Sequence, residues 1–251
     1  MQGRVLWALC LREIHGKHGK SRLGYLWQLI KTGFGVAVFW WIRELAHAAP
    51  PQGLPMPIFL LMGFIPWFIF SETLSMVMEA VRTNKALLTF PQVTPLDLCL
   101  SSAVVVWCTE VLVLGIYLTG LHLAGYDFTI YAPETFLLAL LGVGLLGLGA
   151  GLVLSALNFY VPAIEKLVPM VMRILFLSTG VFFSPSQMSA TYGDAIMWIP
   201  TANFIEMLRG VFLSRSLNSM VKLEYIVCLT AGCLVLGLLL ERYVRPRQEA
   251  A

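Results

Sequence analysis

Charged residues are scarce in this chain. They make up 12% of the 251 residues, whereas hydrophobic residues make up 58%. An average soluble domain is about half apolar and about a quarter charged. With a mean hydropathy of +0.79, the apolar excess is too large for one soluble core to bury. The composition therefore predicts an integral membrane protein.

Metal-site and disulfide patterns are also missing. The five cysteines are odd in number, form no C-x-x-C pair and lie mostly inside apolar runs, which is typical of small apolar filling residues. The four histidines are scattered, and no H-E-x-x-H spacing occurs. We therefore expect no metal site and no disulfide framework.

The usual catalytic motifs are absent from the sequence. It contains no D-x-x-D-G and no G-x-S-x-G, and no two acidic residues are adjacent or one residue apart. We therefore expect no catalytic residue and no covalent chemistry by this chain alone. A membrane enzyme is disfavoured on this ground, whereas a membrane scaffold stays open until binding is assayed.

The stretch EIHGKHGKSRLGYLWQL, residues 13–29, contains the tail of a phosphate-binding loop, Gly19-Lys20-Ser21. A complete P-loop needs another glycine five residues before Gly19, and that position is Ile14. It also needs a preceding strand and a soluble α/β context, whereas a membrane-length apolar run follows here. The sequence argues against a bound nucleotide and indicates a basic, glycine-hinged segment at a membrane surface.

Six apolar runs predict transmembrane helices, which need about 20 mostly apolar residues. The predicted spans are 24–44, 58–80, 98–122, 134–157, 167–184 and 223–240, and the fifth is the shortest. The first run is longer than the apolar core of a signal peptide, so we expect it to be retained. The predicted fold is one all-α integral membrane domain over residues 1–251.

Basic residues predict the orientation of these spans. Lys and Arg concentrate before the first span, between the second and third, between the fourth and fifth, and after the sixth. The first two loops on the opposite side contain neither. Because cytoplasmic loops carry the Lys and Arg excess, and an even number of spans returns the chain to its starting side, we expect both termini in the cytoplasm.

Residues 1–23 predict an interfacial amphipathic helix before the first span. On a helical wheel Arg4, Ala8, Arg12 and His15 form one polar stripe, and apolar side chains cover the rest apart from Glu13. The basic residues of this region either anchor the chain to anionic lipid or hold the phosphate of a lipid-linked substrate. These residues are Arg4, Arg12, Lys17, Lys20 and Arg22.

The loop after the fifth span, residues 185–222, is long and only weakly polar. Residues 201–212 begin with Thr201, a residue type that caps helices, and continue with apolar positions at helical spacing. This run is too short to span and fits a re-entrant or interfacial helix. A re-entrant helix needs a protein-lined or watery cavity to satisfy its backbone, which suggests a pore or vestibule. The alternative is a plain interfacial loop.

Charged residues inside the predicted spans are costly and usually mark a pair or a pathway. Lys31, Glu72 and Arg173 lie at similar depths from the cytoplasmic side. We favour an ion pair of Glu72 with one of the two cations; the alternative is that both cations line the entrance for an anionic substrate. A proton-coupled carrier would use Glu72, Glu79 and Glu110, but no internal repeat supports that class.

Aromatic residues cluster at 40–41, 64–70 and 182–183. Near span ends such residues usually form interface belts. The alternative is that their faces guide a sugar polymer through a pore. The candidate pore-lining or re-entrant residues are Trp40, Trp67, Glu72, Phe182, Glu206 and Arg209.

Five segments resemble the ABC-2-type permeases that export polysaccharide, and among them the capsular polysaccharide permeases. The most specific segment is amino-terminal, LREI at 11–14 with GKSRLGYLW at 19–27. The other segments are FLLMGFIPWFIFS at 59–71, NKALLTFPQVTPLD at 84–97, VPAIEKLVPMVMRILF at 161–176 and WIPTANFIEMLRGVF at 198–212. Together they extend over nearly the whole chain.

The resemblance implies a homodimeric, multi-pass permease of the Gram-negative inner membrane that binds no cofactor itself. Two copies of a separate cytoplasmic ATPase would hold ATP and Mg²⁺. A periplasmic adaptor and an outer-membrane polysaccharide export protein would continue the path. The cargo would be an acidic capsular polysaccharide on a phospholipid anchor, with O-antigen or teichoic acid as alternatives and no nucleic acid.

The resemblance also implies that residues 84–97 form the segment that couples this chain to the ATPase. Few charges and three large apolar residues suit a buried socket, and an ordinary loop seldom exposes three such residues. The implied coupling residues are Asn84, Lys85, Leu87, Leu88 and Phe90.

Overall fold

The chain folds as an assembly of α-helices. A computed structural model describes residues 2–18, 24–47, 53–90, 92–213 and 220–249, and every regular element among them is helical. In chain order the α-helices are α1 (Gln2–His18), α2 (Gly24–Leu45), α3 (Met56–Thr83), α4 (Pro95–Leu123), α5 (Pro133–Tyr160), α6 (Ile164–Ser178), α7 (Ala190–Ile196), α8 (Pro200–Gly210) and α9 (Leu223–Glu249). Short 3₁₀ turns occupy Lys85–Thr89 and Pro185–Gln187. The all-α prediction is confirmed.

Four of the described helices are long and apolar enough to cross a membrane. They are α3, α4, α5 and the Leu223–Pro246 part of α9, which match the second, third, fourth and sixth predicted spans. The first predicted span corresponds to α2, which carries Lys31, Arg43 and Glu44. The fifth corresponds to α6, whose 15 residues extend only about 22 Å at 1.5 Å per residue. The chain is therefore a multi-pass helical membrane protein.

The fifth predicted span differs from the helix that the structure shows. α6 begins at Ile164 and ends at Ser178, whereas the prediction ran from 167 to 184. Gly180 turns the chain in the left-handed region, with a φ of 82°, which glycine adopts without the steric cost of a Cβ atom. The residues after Gly180 are apolar, so hydropathy alone does not locate this turn.

α3 is the central helix of the fold. It contacts α2, α4, α5, α6 and α8. Within its most apolar 18 residues 83% are buried, whereas the corresponding share for α9 is 17%. α3 is therefore surrounded by protein, and α9 presents most of its surface to the outside.

Glycines on α5 let neighbouring helices approach closely. A Cβ atom on Gly151 would lie 2.7 Å from Val77 Cβ, and one on Gly147 would lie 2.9 Å from a carbonyl oxygen of α3. On α9, a Cβ atom on Gly237 would lie 2.9 Å from the carbonyl oxygen of Gly149. Lipid supplies no hydrophobic force between helices, so close packing through small residues holds α5 against α3 and α9.

α1 packs against α4 and lies close to the end of α3. Leu9 is buried in a small apolar cluster with residues of both helices. Glu13 accepts a hydrogen bond from Ser102 Oγ at 3.4 Å, which accounts for an acidic residue within the apolar arc of α1. Trp7 and Leu11 remain exposed. The apolar arc of α1 is thus divided between a protein-facing part and an exposed part.

Candidate functional site

Polar contacts between helices fall at three levels along α3. One lies near its start at Phe59, one at its middle at Glu72, and one just after its end at Asn84. Polar groups in apolar surroundings are costly unless they are paired. Each level therefore marks a place where the fold or the function requires a polar group.

The middle level is a cluster of polar side chains from α2, α3 and α4. Lys31 forms an ion pair with Glu72. Gln28, one turn before Lys31, donates from Nε2 to Glu72 at 3.0 Å and also donates to Glu110 of α4. The Lys31 ammonium lies 3.7 Å from the centroid of the Phe68 ring, a cation–π contact. The prediction that Glu72 pairs with a cation is confirmed, and the cation is Lys31.

Exposure changes across this cluster. Glu110 is fully buried, whereas the side chains of Lys31 and Glu72 are 34% and 29% exposed. Beside the cluster, Tyr117 of α4 donates from its hydroxyl to the Leu29 carbonyl oxygen of α2 at 2.6 Å. These contacts attach α2 to α3 and α4, and sequence reasoning missed both Gln28 and Tyr117.

Arg173 does not join the cluster. Its side chain on α6 is exposed, and the described residues provide no ion-pair partner for it. The alternative in which Arg173 pairs with Glu72 is therefore wrong. Depth along a span is readable from the sequence, but the direction in which a side chain points from its helix is not.

Aromatic rings of α2, α3, α6 and the following turn pack into one cluster. Phe182 stacks on Phe39 with ring centroids 4.0 Å apart and meets Phe64 edge-on at 5.7 Å. Trp67 lies 5.5 Å from Phe176 and is 5% exposed. Both the belt interpretation and a pore-lining role are wrong for Trp67, because protein surrounds it.

The level at the start of α3 is centred on Arg209 of α8, which has no exposed surface. Glu206, one turn earlier, forms an ion pair with it at 3.2 Å. The guanidinium also lies 3.6 Å from the centroid of the Phe59 ring. It donates to four main-chain carbonyl oxygens at 2.8–3.3 Å, those of Phe59, Gly180, Val181 and Phe183.

Two arginines satisfy the carbonyl oxygens of residues 180–183, which we call the carbonyl turn. Arg209 binds three of them, and Arg43 at the end of α2 donates to the Phe182 oxygen at 2.9 Å. Gly63 leaves room for this arrangement, since a Cβ atom there would lie 2.7 Å from the Val181 oxygen and 2.9 Å from Arg209 Nη2. Non-helical backbone at membrane depth persists only where protein or water satisfies it, and the carbonyl turn meets that requirement.

Glu206 and Arg209 face the interior of the protein. Residues 201–209 of α8 are all buried. The carboxylate of Glu206 offsets the charge of the Arg209 guanidinium inside the protein. A pore-lining role is wrong for these two side chains, which hold the turn and the helix together.

Asn203 connects α8 to the chain on both sides. α8 begins at Pro200 without a side-chain cap, so the capping role predicted for Thr201 is wrong. Asn203 Nδ2 donates to the Met197 carbonyl oxygen at 2.7 Å, and Asn203 Oδ1 accepts from the Lys222 main-chain nitrogen at 2.9 Å. The buried Asn203 amide thus ties α8 to the segments before and after it, without capping the helix.

At the end of α3, the segment implied to couple to an ATPase begins with the 3₁₀ turn Lys85–Thr89. Arg12 of α1 donates to Asn84 Oδ1 at 3.0 Å. Asn84 Nδ2 donates in turn to the Ala80 carbonyl oxygen at 3.0 Å. The structure therefore brings together two residues that were predicted for different roles, and it attaches α1 to the start of the turn.

The 3₁₀ turn exposes fewer apolar residues than expected. Leu87 and Leu88 are half-buried and pack on the cluster formed by α1, α3 and α4, whereas Phe90 is 58% exposed. The expectation of three exposed apolar residues is correct for Phe90 alone. Thr94 and Asp97 then form a reciprocal capping box at the start of α4, which fixes the end of the segment.

Four predicted headgroup residues have no described side chain. The structure describes only the main chain at Arg4 and Lys17, and Lys20 and Arg22 lie outside the described residues. Trp40 is exposed and meets Tyr126 edge-on at 6.3 Å. The exposed position of Trp40 fits either an aromatic belt at the membrane interface or a surface that guides a sugar polymer.

Residues 4–213 match the family model described as ABC-2 type transporter. This match extends from α1 through the carbonyl turn and α8, and it includes all three polar levels along α3. The chain therefore belongs to the ABC-2 type transporter family.

Curated relatives resemble the chain over nearly its full length. The polysialic acid transport protein KpsM of Escherichia coli is 28% identical over 97% of this chain and 93% of its own length. The capsule polysaccharide export inner-membrane protein BexB of Haemophilus influenzae is 23% identical over 96% and 91%. The O-antigen export system permease protein RfbA of Klebsiella pneumoniae is 21% identical over 82% and 79%. The resemblance seen in the sequence is confirmed.

Charge reversal tests the ion pair at the middle level. We expect Lys31→Glu and Glu72→Lys each to lower the thermal unfolding midpoint of the purified chain, and the double variant to recover it. A double-mutant cycle should give a coupling of about 0.5–3 kcal/mol, as groups in contact do. The matched cycle of Arg173→Glu with Glu72→Lys should give none. A double variant as unstable as the sum of the single variants contradicts the pair.

Removal of the Arg209 side chain tests whether the polar contacts at the start of α3 stabilise the fold. Arg209→Met should destabilise the fold by about 3–5 kcal/mol, because it leaves the buried Glu206 carboxylate without its partner. Arg242→Met, at an exposed arginine of α9, is the matched control and should change little. The folded yield and the unfolding midpoint in detergent are measured for both variants. Equal yields and unfolding midpoints for Arg209→Met and Arg242→Met would show that the buried contacts of Arg209 do not stabilise the fold.

Proposed function

We propose that this chain is the membrane permease subunit of an ATP-driven exporter that carries a lipid-linked acidic capsular polysaccharide from the cytoplasm to the periplasm. The similarity to capsule export permeases over 97% of the chain carries this proposal. O-antigen is the second candidate cargo, because RfbA is also similar, although over a smaller share of the chain.

In this proposal α2 and α6 are the first and fifth of six spans. The cations of α2 support its placement in the membrane, because Lys31 pairs with Glu72 and Arg43 binds the carbonyl turn. α8 is a re-entrant helix, and the burial of residues 201–209 supplies the protein-lined surroundings that such a helix needs. Six spans and the distribution of Lys and Arg support a topology with both termini in the cytoplasm.

A second copy of the chain covers the exposed faces of α2 and α6. Both helices expose large apolar side chains, among them Phe34 of α2 and Met170 of α6. Arg173 lies one turn after Met170 on the same helix face. A lone cation facing lipid is costly, so a watery path between two copies suits Arg173 better. There it would meet an anionic polymer.

A separate cytoplasmic ATPase supplies the energy, with ATP and Mg²⁺ bound to that partner. Phe90 is the exposed apolar side chain of the 3₁₀-turn region and fits a groove on such a partner. The Arg12–Asn84 hydrogen bond passes displacement of the turn to α1. In a Gram-negative host, a periplasmic adaptor and an outer-membrane export protein would receive the polymer.

Deletion of the chromosomal copy in the native host tests the function. Surface polysaccharide should disappear and lipid-linked polymer should accumulate inside the cell, because the ATPase alone has no path through the membrane. Staining of surface polysaccharide and mass spectrometry of cytoplasmic lipid-linked sugar measure the outcome, and plasmid complementation is the control. Unchanged surface polysaccharide contradicts the proposal. Loss of O-antigen alone supports the second candidate.

Substitution of Phe90 tests the ATPase contact. Phe90→Ser should reduce ATPase recovery with the tagged permease about tenfold or more, because partly buried aromatic residues often dominate interfaces. Tyr131→Ser, at an exposed aromatic residue on the opposite side of the proposed membrane, is the matched control. ATPase recovery that is equal for both variants contradicts the assignment of the turn.

A further inference from the structure

Tyr117 of α4 reaches the main-chain hydrogen bonds in the first half of α2. Its hydroxyl donates to the Leu29 carbonyl oxygen at 2.6 Å, and the Gly33 main-chain N–H also interacts with the same hydroxyl oxygen. In an α-helix a carbonyl oxygen and the N–H four residues later are the two partners of one hydrogen bond. One side chain of α4 therefore interacts with both partners of a single hydrogen bond of α2.

Gly33 is the residue that permits this contact. A Cβ atom there would overlap the Tyr117 hydroxyl oxygen and would lie 3.1 Å from the ring carbon that carries it. A larger residue would therefore push the ring away from α2. Glycine also weakens the interior of a helix relative to alanine. The same position thus admits the hydroxyl and lowers the local stability of α2.

The neighbouring Thr32 lacks a partner in the arrangement that the structure shows. Its side chain has no exposed surface, and its hydroxyl forms no hydrogen bond with the described residues. A threonine inside a helix can donate to the carbonyl oxygen four residues earlier, which here belongs to Gln28. Since a buried hydroxyl without a partner is costly, a second arrangement of residues 28–32 that supplies this partner would be favoured by it.

The parts of α2 before and after the Tyr117 contact are attached to different parts of the fold. On the carboxyl-terminal side, Phe39 stacks on Phe182 and Arg43 donates to the Phe182 carbonyl oxygen. On the amino-terminal side, α1 contacts α2, and Gln28 donates to carboxylates of α3 and α4. The Tyr117 contact therefore lies between a part of α2 that is fixed to the carbonyl turn and a part that is not.

We propose that α2 contains a hinge at residues 29–33 and that Tyr117 is the positioning residue of this hinge. When the helical bond between Leu29 and Gly33 opens, the Tyr117 hydroxyl donates to the freed oxygen and accepts from the freed N–H. Backbone groups in apolar surroundings separate only where another group satisfies them, and side chains inserted into the helical bonds are a known cause of kinks. The part of α2 before the hinge then moves while the part after it stays with the carbonyl turn.

The hinge gives the proposed exporter a way to move one end of α2 alone. The Arg12–Asn84 hydrogen bond attaches the 3₁₀ turn to α1, and α1 contacts α2. Movement of the 3₁₀ turn by the ATPase would therefore reach the part of α2 before the hinge, while the carbonyl turn keeps its contacts. This use of the hinge rests on the proposed function, whereas the hinge itself does not.

Hydrogen exchange of the purified full chain in detergent tests the hinge. Tyr117→Phe keeps the ring but removes the hydroxyl, so opening of α2 leaves the Leu29 oxygen and the Gly33 N–H unsatisfied. Opening should become rarer, and exchange at the neighbouring Thr32 and Phe34 amides, which the hydroxyl does not cover, should slow about fivefold. Mass spectrometry with fragmentation to single amides measures this exchange.

Tyr225→Phe is the matched control. It removes a tyrosine hydroxyl that donates to the Trp198 carbonyl oxygen at 2.8 Å, away from α2, so exchange in α2 should not change. Faster exchange in Tyr117→Phe overturns the proposal, because the hydroxyl would then only fasten α2 to α4. Unchanged exchange also overturns it, as does equal slowing in Tyr225→Phe, which would indicate a general stiffening of the chain.

Surface polysaccharide in cells then tests the use of the hinge in export. Tyr117→Phe should lower surface polysaccharide while ATPase recovery with the tagged permease stays normal, because the ATPase still binds but moves α2 less. Slowed exchange with unchanged surface polysaccharide supports the hinge and overturns its use in export. Exchange is measured without the ATPase, so it decides the hinge even where deletion of the chain leaves surface polysaccharide intact and the proposed function fails.

Discussion

The buried guanidinium of Arg209 fixes the arrangement of four helices. Backbone that leaves the helical state in apolar surroundings needs donors for its carbonyl oxygens, because each unsatisfied group costs several kcal/mol there. Arg209 and Arg43 supply these donors to the carbonyl turn, and Gly63 leaves the space. The ends of α2 and α6, the start of α3 and the whole of α8 therefore meet as one unit.

α2 is held differently from the other long helices. Among its described side chains, Thr32 and Val36 are buried. Besides the packing of Phe39 on Phe64 and Phe182, its attachment depends on separate polar contacts: Lys31 with Glu72, Gln28 with Glu72 and Glu110, and Arg43 with the carbonyl turn. A helix held by a few discrete contacts shifts more easily than one held by a continuous apolar face. We therefore expect α2 to move most during transport, with the unit around Arg209 as its support.

The sequence predicted the helices better than their contacts. Hydropathy located the long spans, and the similar depths of Lys31, Arg173 and Glu72 indicated an ion pair of Glu72 with one of the two cations, because a charge in a span needs a partner. Arg43 was missed, since its partner Phe182 is 139 residues away and is a main-chain oxygen. Leu87 and Leu88 were predicted to be exposed because composition does not reveal which side of a short turn faces its own core. The amino-terminal segments indicated the family correctly, since short specific motifs do not depend on packing.

Transport in liposomes tests whether the chain is the permease of an ATP-driven exporter. The chain would be reconstituted with the proposed P-loop ATPase partner, and movement of anionic lipid-linked polysaccharide across the bilayer would be followed. We expect movement that requires both proteins and ATP and persists when the proton gradient is collapsed. Movement that runs on a proton gradient without the ATPase would rule out an ATP-driven exporter and would make Glu72 and Glu110 the residues of a proton-coupled carrier.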